Sequence, residues 1–224
     1  MSWILGISGV LCFIYFVAIM VFSGPGTSFA FIWLVLALVF GLAASGKLVG
    51  RLSGAGLPLS VRVAAATLFV TGLVVFVIVE ILVFTGVTQE DPKGLDYVIV
   101  LGAKVQQEGV SKSLKMRLDK ANQYGEENHD TIFVLSGGKG KDERRPRLFG
   151  GLAPGDLAIE APEKPVQIGV LTSNFHLFRA VQIGKKWGIP DIQGIAAPSE
   201  LWMLPHFCVR ECAAILKDKL MGNM

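Results

Sequence analysis

Three apolar runs in the first 87 residues constrain this chain more than any other feature. They cover residues 3–22, 29–44 and 63–84, and the one charged side chain inside them is Glu80. A helix needs about 20 such residues to cross the hydrocarbon core of a bilayer. Each run comes close to that length, so three transmembrane helices are expected. The first run has no basic region ahead of it and no small-x-small cleavage site, so it reads as an anchor rather than a cleaved signal. Glu80 falls near the outer end of the third run, where a carboxylate can reach headgroups and water.

The short loops give the orientation. Residues 23–28 carry no charge, whereas residues 46–62 carry Lys47, Arg51 and Arg62 and no acid. Positive loops stay inside. The amino terminus and the second loop are therefore expected in the cytoplasm, with the third helix running outward. The rest of the chain then forms an extracytoplasmic domain on a multi-pass cell-membrane protein.

The 52% hydrophobic content of the whole chain comes mainly from this first part. Beyond it the composition is that of an ordinary globular domain. Two parts follow: a membrane domain over residues 1–87 and a compact domain over 88–224, long enough for its own core. A net charge of +3 with no dense basic run argues against a nucleic-acid partner. Cys208 and Cys212 are one helical turn apart, a spacing that suits two small buried residues better than a disulfide. With only three scattered histidines, neither a metal site nor a cofactor is expected.

The second part alternates strand and helix patterns. "DYVIVLGA" (96–103), "TIFVLSGG" (131–138), "VQIGVLTS" (166–173) and "DIQGIAAPS" (191–199) read as strands closed by small residues. "DLAIEA" (156–161) reads as an additional edge strand. Helices are expected from Ser111, from residue 174 to Gly188, and from Pro205. Such alternation makes a parallel sheet covered on both faces, with right-handed crossovers. Ligands of these sheets lie beyond the carboxyl ends of the strands, where helix amino termini favour anions. Those ends carry Gly102 and Ala103, Ser136 to Gly138, and Thr172 to Asn174.

His176 and Arg179 fall at the third of these ends. With Ser173 or Asn174 as the N-cap, both lie near the start of a helix and on one side of it. The dipole there disfavours imidazolium, so a histidine is fit to donate or accept. Arg179 can pair with a phosphate or a carboxylate. Basic side chains at a helix start suggest an acidic ligand.

At this point "DYVIVLGAKV", "SKSLKMRLDKA", "IFVLSGGKGKDE", "VLTSNFHLFRAVQIGKKWGI" and "VRECAAILKDKL" resemble, in order and texture, the DUF218 (YdcF/SanA/ElyC-like) family. The resemblance covers nearly all of residues 96–220. It implies a Rossmann-like α/β domain, often placed outside after membrane helices, and a link to envelope biogenesis, including peptidoglycan and lipid-carrier metabolism. It implies a polar set made of Arg117, Ser136, Gly137, Gly138, Glu143, Thr172, His176 and Arg179. His176 and Glu143 are the catalytic candidates. Gly102, Ala103, Ser173 and Asn174 join the others as ligand-binding candidates. One departure stands out: "RRPRLFGGLAPGDLAIEAPEKP" (144–165) replaces a helix, a strand and an Asn-Thr-bearing helix of the family. One crossover is therefore expected to be shortened.

The expected function is that of a membrane-anchored envelope factor, with the bilayer and a lipid-linked or phosphate-bearing ligand as partners. A non-catalytic binding or scaffold module is a second reading. A nucleotide or S-adenosylmethionine binder is a third, which needs a cytoplasmic domain and lacks a GxGxxG loop.

Overall fold

The computed structural model describes residues 2–24, 26–45, 58–88, 90–103, 110–136 and 166–224. Its contacts divide the chain into two compact units, Met1–Val77 and Ile78–Met224.

The first unit begins with α1 (Ser2–Phe22) and α2 (Phe31–Ala44), two helices without a charged residue that pack on each other. Tyr15 meets Trp33 edge-on at 4.6 Å between ring centres. Gly9 lets the backbones approach: a Cβ there would lie 3.2 Å from the carbonyl oxygen of Ala37. The third run forms α3 (Leu59–Val87), 29 residues long.

Among the described residues two helices, α1 and α3, are long and apolar enough to cross a membrane, and both leave most of their apolar side chains uncovered. The expectation of three spans is corrected here. At 1.5 Å per residue, the 14 residues of α2 reach roughly 21 Å, short of a core about 30 Å thick. Residues 29 and 30 are spent on the turn, where Phe29 has a positive φ of 71°.

The second unit is mixed α/β. Four parallel strands, β1 (Tyr97–Leu101), β2 (Ile132–Ser136), β3 (Ile168–Ser173) and β4 (Gln193–Ala197), form a sheet in the order β2-β1-β3-β4. Each strand lies within a predicted stretch. The 156–161 strand and the shortened crossover of 144–165 lie outside the described residues.

The β-branched and leucine side chains alternate across the sheet and fill two cores. On one face, Val98, Val100, Leu171 and Ile195 pack with Tyr124 and Ala121 of α4 (Lys112–Glu127). On the other, Val170 and Ile192 pack with Leu177 and Ala180 of α5 (Leu177–Lys186). The chain leaves β1 for β2 on one side, while β3 and β4 lie on the other. The carboxyl ends of β1 and β3 therefore diverge, which in open parallel sheets opens a crevice.

The last turns of α3 belong to this second unit. Val79, Val83 and Gly86 are buried on one stripe of the helix. Glu80 lies against Cys208 of α6 (Leu204–Leu220), not at a free helix end as expected. Both Cys208 and Cys212 are free and buried. Burial first, and the nearby Glu80 charge second, push the Cys208 thiol up to about 12, so it is no nucleophile.

Candidate functional site

Four of the described candidates, Gly102, Arg117, Ser136 and Ser173, are linked by hydrogen bonds at the carboxyl ends of β1, β2 and β3. Ser111 caps α4 by accepting from the Leu114 amide at 3.3 Å, which sets the helix start. Arg117, two turns in, is buried at 7% exposure. Its Nη1 donates to the carbonyls of Leu101 (2.9 Å) and Gly102 (2.7 Å), and its Nε donates to Ser173 Oγ (3.1 Å). One guanidinium thus ties together the ends of β1 and β3. The Gly102 amide donates in turn to the Ser136 carbonyl at 2.9 Å, bringing in the end of β2. Ala103 follows Gly102 in the same stretch.

Burial, and then the neighbouring Arg210 charge, lower Arg117 to about 10; the Glu211 charge acts the other way. It stays charged at neutral pH, but without a carboxylate in contact among the described residues.

The helix start after β3 differs from the expected one. Residues Asn174–His176 form a 3₁₀ turn, and α5 begins only at Leu177. Neither Ser173 nor Asn174 makes the expected side-chain cap. The Ser173 hydroxyl is occupied by Arg117, and Asn174 Oδ1 accepts from Ser199 Oγ and from the adjacent Phe175 amide, both at 2.8 Å. With its orphan amides uncapped, the first turn tightens. Thr172, fully buried, has no hydrogen-bond partner for its hydroxyl among the described residues.

His176 and Arg179 do come together, but around a residue that the sequence reading missed. Glu211, on α6, is completely buried. His176 Nδ1 lies 2.8 Å from Glu211 Oε1, Arg179 Nε 2.5 Å from the same oxygen, and Arg179 Nη2 3.4 Å from Oε2. Arg179 Nη1 also bonds Asp218 at 2.9 Å. An acidic ligand is therefore not what neutralises Arg179; two carboxylates of the chain do so.

A carboxylate can only accept, so the 2.8 Å contact requires the proton on Nδ1. Nη2 of Arg179, 3.2 Å from that nitrogen, is then a near neighbour and not a bond. Nε2 is left without a protein partner among the described residues. A histidine oriented by a buried carboxylate through Nδ1, with Nε2 open, can accept or return a proton. The orienting role expected of Glu143 is filled by Glu211. Glu143, Gly137 and Gly138 themselves lie outside the described residues.

Arg210 is a second residue missed. Its guanidinium sits 5.6 Å from the Phe175 ring centre and 5.3 Å from that of Phe207, two rings stacked at 4.5 Å. The signal was present in "VRECAAILKD": Glu211 and Asp218 are seven apart, hence on one helix face, in a segment otherwise apolar or basic.

Burial pushes the Glu211 carboxyl up, but the His176 bond and the Arg179 pair outweigh it and hold it below the ordinary carboxylate range. The sign follows. A carboxyl depressed in the fold binds fewer protons than in the unfolded chain. Its contribution is complete above the unfolded value of about 4.3 and is lost as pH falls through the lower folded value. Stability measured against pH should therefore fall on the acid side. Glu211→Gln should flatten that fall, as followed by thermal unfolding of the detergent-solubilised protein between pH 7 and pH 3.

No protein-family model matches the chain, no curated protein matches it, and no solved structure matches it.

Proposed function

We propose that this chain is a membrane-anchored factor of bacterial cell-envelope biogenesis, of the DUF218 (YdcF/SanA/ElyC-like) type. In this reading its second unit is a Rossmann-like domain with one shortened crossover. It lies outside the cytoplasm and binds or acts on a phosphate-bearing ligand, such as a lipid-linked one.

The observation that carries the reading is that the carboxyl end of β3 holds Arg117, bonded to Ser173, and is followed at once by the turn that carries His176. Arg117 supplies a positive charge at the point where an open parallel sheet receives its ligand. His176, oriented by Glu211, supplies an open nitrogen for proton transfer. Phosphate recognition needs the first, and a reaction at the ligand needs the second.

The placement outside rests on the basic loop of residues 46–62. In this reading the loop stays in the cytoplasm and α3 runs outward from it, whether or not α2 crosses. With two spans, α1 and α3, the same loop puts the amino terminus outside together with the second unit, in place of the cytoplasmic amino terminus expected from three. The test is a topology reporter fused after Met224. An alkaline-phosphatase fusion should be active and a green fluorescent protein fusion exported unfolded should be dark. The reverse pattern would end the envelope reading. It would make the crevice a candidate for cytoplasmic nucleotides or S-adenosylmethionine instead. A non-catalytic scaffold is favoured if the ligand binds without turnover and His176→Gln leaves binding unchanged.

A further inference from the structure

Two guanidiniums near the end of β3 keep donors that no described group accepts, and those donors describe a ligand. Arg179 is fully matched by Glu211 and Asp218. Arg117 spends its Nε and Nη1 on neutral oxygens, leaving Nη2 without a bond among the described residues. Arg210 makes no ion pair and no hydrogen bond among the described residues, though the Glu211 charge acts on it; it rests on the Phe175–Phe207 stack. Phe175 is two residues from Ser173, the hydroxyl that Arg117 holds, so both guanidiniums reach the same turn. The Glu211 charge acts on both, but its oxygens are taken by Arg179 and His176, so neither guanidinium has an ion pair of its own among the described residues, and partly buried cations of this kind favour a ligand that neutralises them. An aromatic platform keeps a guanidinium fixed in direction while leaving its edge free.

Resting on the phosphate reading above, we infer that Arg117 and Arg210 form the seat of a doubly charged terminal phosphate, that is, a phosphate monoester rather than a diester. A monoester at neutral pH brings close to two negative charges and three acceptor oxygens, which match two fork-shaped donors. A diester brings one charge, and an esterified oxygen in place of a free one. Arg210 is thereby a ligand-binding residue, and the Phe175–Phe207 pair holds it in place. Consistent with this, burial holds both guanidiniums below their ordinary range, and a bound dianion would raise both again.

The test uses the full chain in detergent micelles and two probes of similar shape, phenyl phosphate and methyl phenyl phosphate, titrated by calorimetry at pH 8. The monoester should bind at least about tenfold more tightly, the value of one charge-assisted contact. Arg210→Met should remove most of that preference, and Arg210→Lys should restore part of it. Thermal unfolding without ligand shows whether each variant is folded. Equal affinity for the two probes, with Arg117→Met weakening both, would overturn the dianion seat and leave the phosphate reading standing. No binding of either probe would overturn both. An Arg210→Met protein that is folded and keeps the full preference would reduce Arg210 to a packing residue and sink the proposal.

Discussion

Glu211→Ala should be the most destabilising single change in the second unit, costing about 3–5 kcal/mol, the usual cost of removing one partner of a buried ion pair. The side chain is completely buried and neutralises Arg179 while accepting from His176. Without it, a guanidinium and an imidazole keep their positions in the interior with one carboxylate, Asp218, where there were two. For a domain of this size the loss corresponds to a fall in Tm of about 10 °C or more. Glu211→Gln should cost less, because the amide oxygen can still accept from Nδ1. Thermal unfolding of both variants in the same detergent checks the order. An alanine variant as stable as the parent would mean that the cluster is not closed as described.

The second large effect should come from Gly86→Val. A Cβ at Gly86 would lie 3.1 Å from the Asn174 carbonyl oxygen, 3.1 Å from Leu177 Cβ and 3.2 Å from the Phe178 amide. Two of these are backbone atoms, which cannot swing aside as a flexible side chain can. Overpacking of this kind costs about 1–3 kcal/mol. The atoms that must move belong to the turn that carries His176, so the substitution should disturb the site as well as the stability. The expected pattern is a lower Tm together with weakened binding of phenyl phosphate. Gly86→Ala should show a smaller version of both. A normal Tm with unchanged binding would show that α3 and the His176 turn are not in contact.

Much of this architecture was legible in the sequence because strands and helices announce themselves by period. "YVIVL", "IFVLS" and "IGVLTS" are short apolar runs ended by small residues, and all three are strands. The second apolar run looked like a span because hydropathy measures composition, while spanning is a matter of helix length, and part of the run is used in the turn. Glu80 was misplaced for a related reason. Nothing in a row of valines marks where a helix passes from exposed residues to residues packed on a domain.

The site was half legible. His176 and Arg179 stood out at a strand end, and Arg117 came from the family resemblance. Glu211, which organises them, lies 35 residues further along in a helix that reads as a plain closing helix. Its partners are brought to it only by the docking of α6 beside the β3 end, a tertiary fact with no local signature. The N-cap expectation failed for the same kind of reason, since Arg117 reaches in from another helix and takes the Ser173 hydroxyl.

The protonation and accessibility of the His176 ring decide between a proton-transferring site and a purely structural cluster. The chain has only three histidines, so ¹⁵N-histidine labelling of the full protein gives few signals, and His176→Gln identifies the relevant pair. Nδ1 should carry the proton, fixed by Glu211, and the Nε2 resonance should move when phenyl phosphate is added at pH 8. A proton absent from Nδ1, or an Nε2 signal indifferent to the ligand, would contradict the proton-transferring site.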